Sequence, residues 1–172
     1  RYPDGSETNN PHLLERGKPG VIAVTPDGNR FTDEAQNYHD FVKAMLAAPN
    51  AAPDHAVHFI CDHRALRRYG LGVARPFPFP YRGFLRSGYL LHGATVEELA
   101  TRAGIAPEGL ARCIDAYNAH ARLGKDPQFK KGENAYDVGQ GDPNHRPNPC
   151  VGPLAQPPFY AVRVLPGDLA TF

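Results

Sequence analysis

An α+β fold, with a small mixed or antiparallel sheet, several helices and long Pro/Gly-rich loops, is the architecture this sequence predicts. Three observations carry it. Apolar β-rich runs are few, short and far apart, at 20–25, 56–61 and 159–165. Helical stripes of unequal length lie between them, without the regular strand–helix alternation of βαβ units. Gly (17) and Pro (18) together make about a fifth of the 172 residues, with no Gly-X-Y period or low-complexity tract. At roughly 150 residues per domain, the length fits one unit spanning 1–172.

The elements follow in order. Gly20–Thr25 reads as a strand, Pro26-Asp27-Gly28 as a turn, and Arg30-Phe31-Thr32 as a return strand completing a hairpin. Asn37 is the expected N-cap of a helix carrying Tyr38, Phe41, Val42, Met45 and Leu46 on or near one stripe, closed by Pro49 and Pro53. Ala56–Cys61 is a short strand, and Asp62 caps a turn of helix over His63–Tyr69 before Gly70. Residues 71–93 give no clear element, and Pro76-Phe77-Pro78-Phe79-Pro80 suits a polyproline-like extended loop. Thr95-x-x-Glu98 is a capping box opening a helix with Val96, Leu99, Ala100 and Ala103 at helical spacing, stopped by Gly104. Pro107 opens a longer helix with a Leu110, Ile114, Tyr117, Ala121 stripe, ended by Gly124. Residues 125–158 read as turns and loops, and Phe159–Leu165 as the last strand.

Composition narrows the function. Hydrophobic residues make up 41% and charged residues 22%, near the globular norm. The formal net charge of +1 argues against a dedicated nucleic-acid or anionic-membrane protein, which would carry a basic excess. Cys61, Cys113 and Cys150 are too few and odd in number for a disulfide scaffold, so free thiols in a reducing, cytoplasmic setting are expected. No apolar run approaches the ~18 residues of a membrane span. The sole Met is Met45, and both ends are abrupt, so a piece of a longer protein is expected.

Four constellations were weighed. His55, His58, Cys61 and His63 are the densest set of potential metal ligands, but alternation on a strand turns His58 away from His55 and Cys61. A strand with a buried thiol and a capped helix is the plainer reading, and no metal is expected. Neither Ser6 nor Ser87 lies in a nucleophile elbow, and no G-x-G-x-x-G or other phosphate loop is present. Arg64, Arg67, Arg68, Arg75, Arg82 and Arg86 interleave with Phe77, Phe79, Tyr81 and Phe84. That pattern suits a solvated or domain-contacting face, or the lip of a cleft for an anionic or flat apolar ligand, better than nucleic acid. Tyr38 stands apart: a tyrosine in the first turn of a helix meets the positive end of the dipole, which favours the phenolate and makes it a usable proton acceptor. The plain alternative is a core tyrosine on the stripe with Phe41 and Val42.

Gly17-Lys18-Pro19-Gly20-Val21-Ile22-Ala23-Val24, then Gly28-Asn29-Arg30-Phe31-Thr32-Asp33-Glu34 and Tyr38-His39-Asp40-Phe41, resemble segments of the FAD-dependent fumarate reductase/succinate dehydrogenase flavoproteins, most closely the 3-ketosteroid dehydrogenases. So do Thr95–Ala100, Tyr117-Asn118-x-x-Ala121, Gly152-Pro153-Leu154, Pro158–Ala161 and Pro166-Gly167-Asp168. The steroid-type enzymes place a Tyr near Tyr38 and read Pro-Gly-Asp-Leu near the end. Fumarate reductases instead carry an Arg where this chain has Asn37–Asp40 and a His where it has Asp168-Leu169-Ala170, so the dicarboxylate clamp and proton donor are missing. Asp33 stands where the family commonly has Asn.

The resemblance implies a substrate-binding (capping) domain of an FAD-dependent oxidoreductase acting at a carbon–carbon bond next to a ketone, in a steroid-like or other bulky apolar substrate. Tyr38 would be catalytic, and His39, Phe41, Phe159 and Tyr160 would contact substrate. FAD would belong to the full-length protein, with no cofactor expected on this fragment. The partners would be an apolar ketone and the missing FAD-binding domain of the same chain, with no nucleic acid and no membrane span. A CoA-ester substrate recognised by the Arg64–Arg86 segment, and a stand-alone module binding an apolar ligand or partner, are the alternatives. As a check on the histidine cluster, protein purified without a histidine tag is expected to carry well under one zinc per chain by metal analysis; one tightly held zinc whose chelation destabilises the fold would contradict this.

Overall fold

The structure, a computed structural model, describes residues 5, 6 and 10–167. Its strands are β1 (Val21–Val24), β2 (Val57–Asp62), β3 (Leu91–Gly93) and β4 (Phe159–Val164), and its helices are α1 (Tyr38–Ala47), α2 (His63–Tyr69), α3 (Arg82–Arg86), α4 (Val96–Ala103), α5 (Pro107–Ala121) and α6 (Ala135–Gln140). The four strands form one antiparallel sheet in the order β1-β2-β4-β3, with Val21 opposite Cys61, Val57 opposite Val164 and Gly93 opposite Phe159. The α+β expectation holds.

Strand alternation divides the core in two. Ile22, Val24, Ile60, Phe159 and Ala161 face Leu99 of α4 and Leu110, Ile114 and Tyr117 of α5. Val21, Ala23, Phe59, Cys61, Tyr160 and Val162 face Phe41 and Met45 of α1, Leu66 of α2 and the loop residues Leu71 and Leu90. Both faces of β2 are covered, which is why its six residues are all buried.

The helix starts are chemically fixed. Asn37 Oδ1 accepts from Asp40 N at 3.0 Å, and Thr95 Oγ1 accepts from Glu98 N at 3.1 Å. Glu98 reaches back one residue further than a capping box requires, accepting from Ala94 N at 2.8 Å. Asp62 does more than cap α2: one oxygen accepts from Ala65 N at 2.9 Å, the other from Ala155 N and Gln156 N at 3.1 and 3.0 Å.

Several expectations change. Residues 30–32 do not return as a strand; a single bridge joins Val24 and Arg30, because the Arg30 side chain is drawn inward and the turn closes through Thr25 N donating to Asn29 O at 3.0 Å. Gly28, at φ +84°, lets that turn lie backbone-to-backbone on Gly109 and Leu110 of α5, where any Cβ would collide. Residues 76–80 form a turn, with Phe79 N donating to Pro76 O at 3.1 Å, rather than a polyproline stretch. The stretch without assignment, 71–93, contains α3 and β3, and the presumed loop 125–158 contains α6, capped by Asn134 accepting from Asp137 N at 3.0 Å.

The inward Arg30 is the polar centre of the fold. Its guanidinium donates to Glu34 at 2.7 and 2.8 Å and to Asp126 at 2.9 and 2.8 Å, and lies between the Tyr117 and Phe129 rings, 4.9 and 5.0 Å from their centroids. Lys131 stands 3.2 Å from Glu34 and donates to Val21 O at 2.7 Å, while Ala23 N donates to Glu34 at 3.1 Å. Burial alone would raise the Glu34 pKa, but the Arg30 and Lys131 charges outweigh it and hold the carboxyl down at about 2. Glu34→Ala leaves two buried cations facing one carboxylate. It is expected to cost about 3–5 kcal/mol of unfolding free energy by denaturant titration. A loss under 1 kcal/mol would show that the cluster is not the joint described here.

Candidate active-site face at the start of α1

The residues singled out from sequence do not all share one place. Tyr38 opens α1 and is half-buried, and His39 beside it is exposed. Phe41 is 3% exposed, its ring 5.6 Å from those of Phe31 and Phe59 and 4.8 Å beneath the Arg16 guanidinium. Tyr160 is 2% exposed on the same side of the sheet, whereas Phe159, one residue earlier on β4, points to the α4–α5 side. In this chain Phe41, Phe159 and Tyr160 are core residues, and only Tyr38 and His39 reach the surface together.

What sets the direction of α1 lies in the preceding loop. Arg16 donates to the backbone carbonyls of Glu34 and Gln36, both at 3.2 Å, and through its ε-nitrogen to His12 O at 2.6 Å. The loop running from the Arg30–Glu34 pair to the Asn37 cap is thereby clamped. The backbone N–H groups of Tyr38 and His39 have no hydrogen bond among the described residues, so this helix start offers two open donors just after the Asn37 cap.

Sequence reasoning missed a second polar set. Tyr160 Oη lies 3.0 Å from His63 Nδ1 and 3.4 Å from Tyr81 Oη, linking β4, α2 and the segment before α3. Burial, then the Tyr81 contact, push the Tyr160 phenol pKa up, so it is a neutral hydrogen-bonding group. The thiols are likewise quiet: all three are free, and burial raises Cys61, Cys113 and Cys150. At the histidine cluster, β2 alternation puts His58 and Cys61 on opposite faces; burial, then Arg163, push His58 down to about 4. No described group of three His, Cys, Asp or Glu converges as metal ligands.

The model of a family described as FAD binding domain matches residues 4–172. The chain belongs to that family. It is 43% identical, over its whole length, to a 4-oxocyclohex-2-ene-1-carboxylate 5-dehydrogenase of Sinomonas cyclohexanicum, covering 29% of that protein. It is 34% identical to a 3-oxosteroid 1-dehydrogenase of Mycobacterium tuberculosis over 92% of this chain and 29% of that one. The crystal structure of the 3-ketosteroid delta1-dehydrogenase from Sterolibacterium denitrificans, solved with 1,4-androstadiene-3,17-dione, superposes with a TM-score of 0.84 at 32% identity over 95% of this chain and 30% of that chain. Fumarate reductases match at lower identity. The chain thus spans under a third of the relatives' length.

One expectation is overturned. No cofactor was expected on this stretch, yet the family model places residues 4–172 inside the FAD-binding region, so the chain does not lack the flavin site. Absence of G-x-G-x-x-G excludes one phosphate loop only; side chains and helix starts also hold flavins. The donor set here fits such a group: the His39 imidazole and the two open N–H groups of α1 can meet carbonyl or anionic oxygens. The Asp168 end of the Pro-Gly-Asp-Leu segment lies outside the described residues.

A pair of carboxyls gives this region a pH signature. Asp137 is buried; its Oδ2 accepts from Gly132 N at 3.0 Å, and its Oδ1 has no donor. Asp33, whose Oδ1 accepts from Ala35 N at 2.8 Å, is pushed up to about 7 by burial, then by its hydrogen bond to Asp137 and the charges of Asp137 and Glu34. A proton on Asp33 supplies the donor Asp137 lacks. The folded chain keeps that proton between the ordinary 3.8 and about 7 while the unfolded chain releases it, so this pair lowers stability as pH rises through that window. Asp33→Asn, which carries a permanent N–H donor, is expected to remove that slope and to stabilise the fold by about 1 kcal/mol at pH 8, allowing for solvent screening. Thermal melts of both forms at pH 5 and pH 8 measure this; equal pH slopes would refute the shared proton.

Proposed function

We propose that this chain is the substrate-covering part of an FAD-dependent dehydrogenase that removes two hydrogens across a carbon–carbon bond next to a ring ketone. The observation that carries the reading is Tyr38: a half-buried phenol at a capped helix start, beside two open N–H groups, at the position where the resembling steroid enzymes have a tyrosine. The names of the relatives support the substrate class, since the oxocyclohexene carboxylate and the 3-oxosteroid share a six-membered ring ketone. The likeness of the whole chain to dehydrogenases speaks against a stand-alone binding module.

In this reading FAD, when bound, supplies the two-electron acceptor. The chain's own residues handle the proton and the carbonyl. The Tyr38 oxygen accepts the proton from the carbon next to the ketone, as a positioned general base. Asn37 fixes the first turn so that the phenol keeps its place, and the Phe41 ring behind it excludes water from the base of the helix. His39, about 100° round the helix, faces outward and borders the site without sharing the proton. The capping role, and the remainder of the flavin site on the other two-thirds of the full-length protein, belong to the same proposal.

In the full-length enzyme, Tyr38→Phe is expected to lower kcat by about 10² or more, the usual scale for a lost acid–base group, with folding and flavin content unchanged. Near-normal turnover of that variant on a ring-ketone substrate, with His39→Ala inactive, would reassign the proton to His39.

A further inference from the structure

On elements other than α1 lies a concavity of about 370 Å³, lined by Arg64, Arg68, Arg122 and Arg146 with Asn144, His145, Ala121, Pro147 and Pro153. Four arginines around one small cavity are out of proportion to a chain whose net charge is +1. They arrive from three places: Arg64 and Arg68 one turn apart on α2, Arg122 at the C-terminal end of α5, and Arg146 in the loop after α6. Among the described residues, no carboxylate lines the cavity.

The pairing is uneven. Arg68 meets Asp142 at 2.6 Å, and Asp142 is further held by the Tyr69 hydroxyl at 2.7 Å. Arg146 donates to two backbone carbonyls, Pro143 O at 2.6 Å and His145 O at 3.0 Å, which orient its guanidinium without neutralising it. The side chains of Arg64 and Arg122 have neither an ion pair nor a hydrogen bond among the described residues. Three of the four guanidinium charges therefore have no ion-pair partner among the described residues. Two of the four arginines are held by partners in the loop after α6, so the cavity is partly formed before anything enters it.

We propose that this cavity binds a diphosphate group. Guanidinium forks match the paired oxygens of phosphates, and three unmatched positive charges suit the charge of a diphosphate better than that of a carboxylate or a single phosphate. The volume has room for two phosphoryl groups with part of what they are attached to. The diphosphate is that of a phosphorylated ligand separate from the flavin, so the cavity is expected to be open in the FAD-loaded protein. The inference does not rest on the role given to Tyr38, which lies on another part of the molecule.

The test is calorimetric titration of inorganic pyrophosphate into the full-length flavoprotein, with orthophosphate alongside, and into Arg64→Ala/Arg122→Ala. These two side chains are exposed and carry no structural bond, so the variant is expected to keep its melting temperature. Pyrophosphate is expected to bind at least tenfold more tightly than orthophosphate, to weaken with added salt, and to lose at least tenfold in affinity in the double variant. No pyrophosphate binding to either the FAD-loaded or the flavin-free protein, equal binding of the two anions, or binding that the double variant leaves intact would each overturn the proposal. The titration is repeated on the flavin-free protein. Equal binding in both forms is expected, and binding seen only after flavin removal would also overturn the proposal, because the anion would then be filling the vacated flavin site.

Discussion

Arg30 must leave water for this chain to fold, and the rest of the structure is arranged so that it can. A guanidinium in the core is tolerable only if most of its donors are used and its charge is matched. Here four donations go to two carboxylates, Lys131 matches the second negative charge, and two aromatic rings cover the faces of the guanidinium plane. The partners come from residues 34, 126 and 131, so one side chain ties the first third of the chain to the last. Such a cluster adds little to net stability over a well-packed apolar core, but it admits one arrangement, and that is its structural use.

That single arrangement reaches the candidate site through the backbone. Glu34 is fixed by Arg30, its carbonyl is held by Arg16 together with that of Gln36, and Asn37 then caps α1. The direction of the first turn, and with it the Tyr38 phenol, is inherited from a charge cluster that Tyr38 does not touch. The same Arg16 covers the Phe41 ring, so the polar clamp and the apolar backing of α1 meet at one side chain.

Much of the fold was legible because its signals are local. Asn37, Asp62, Thr95 and Pro107 mark helix starts by chemistry that acts within three or four residues, and all four open the helices expected of them. The runs at 20–25, 56–61 and 159–165 become β1, β2 and β4. What stayed hidden was short or non-local. β3 has three residues and exists only because β4 lies beside it; α3 and α6 have five and six residues, too few for a periodic stripe. Arg30 read as a strand residue since nothing near it in sequence announces Asp126. At the site, Tyr38 could be found from its cap, but the His63–Tyr160–Tyr81 contact joins residues 79 and 97 positions apart, and no spacing rule reaches so far. Phe159 and Tyr160, adjacent on β4, point to opposite faces of the sheet. The flavin expectation failed for a different reason, because the lack of one motif was read as the lack of a property.

The position of β4 has a consequence for how the chain reaches its fold. It is the last described strand in sequence, yet it sits inside the sheet, between β2 and β3. A chain emerging from the ribosome can pair β1 with β2 early, but β3 finds its partner only when residues 159–164 arrive, and the two apolar layers are not joined until then. The closing step joins residues about a hundred positions apart in sequence, which makes it entropically costly and slow relative to helix formation. Until it happens, the inner edge of β2 is an open row of peptide groups on an apolar strand, so the nascent protein passes through a stage in which it is a template for its neighbours.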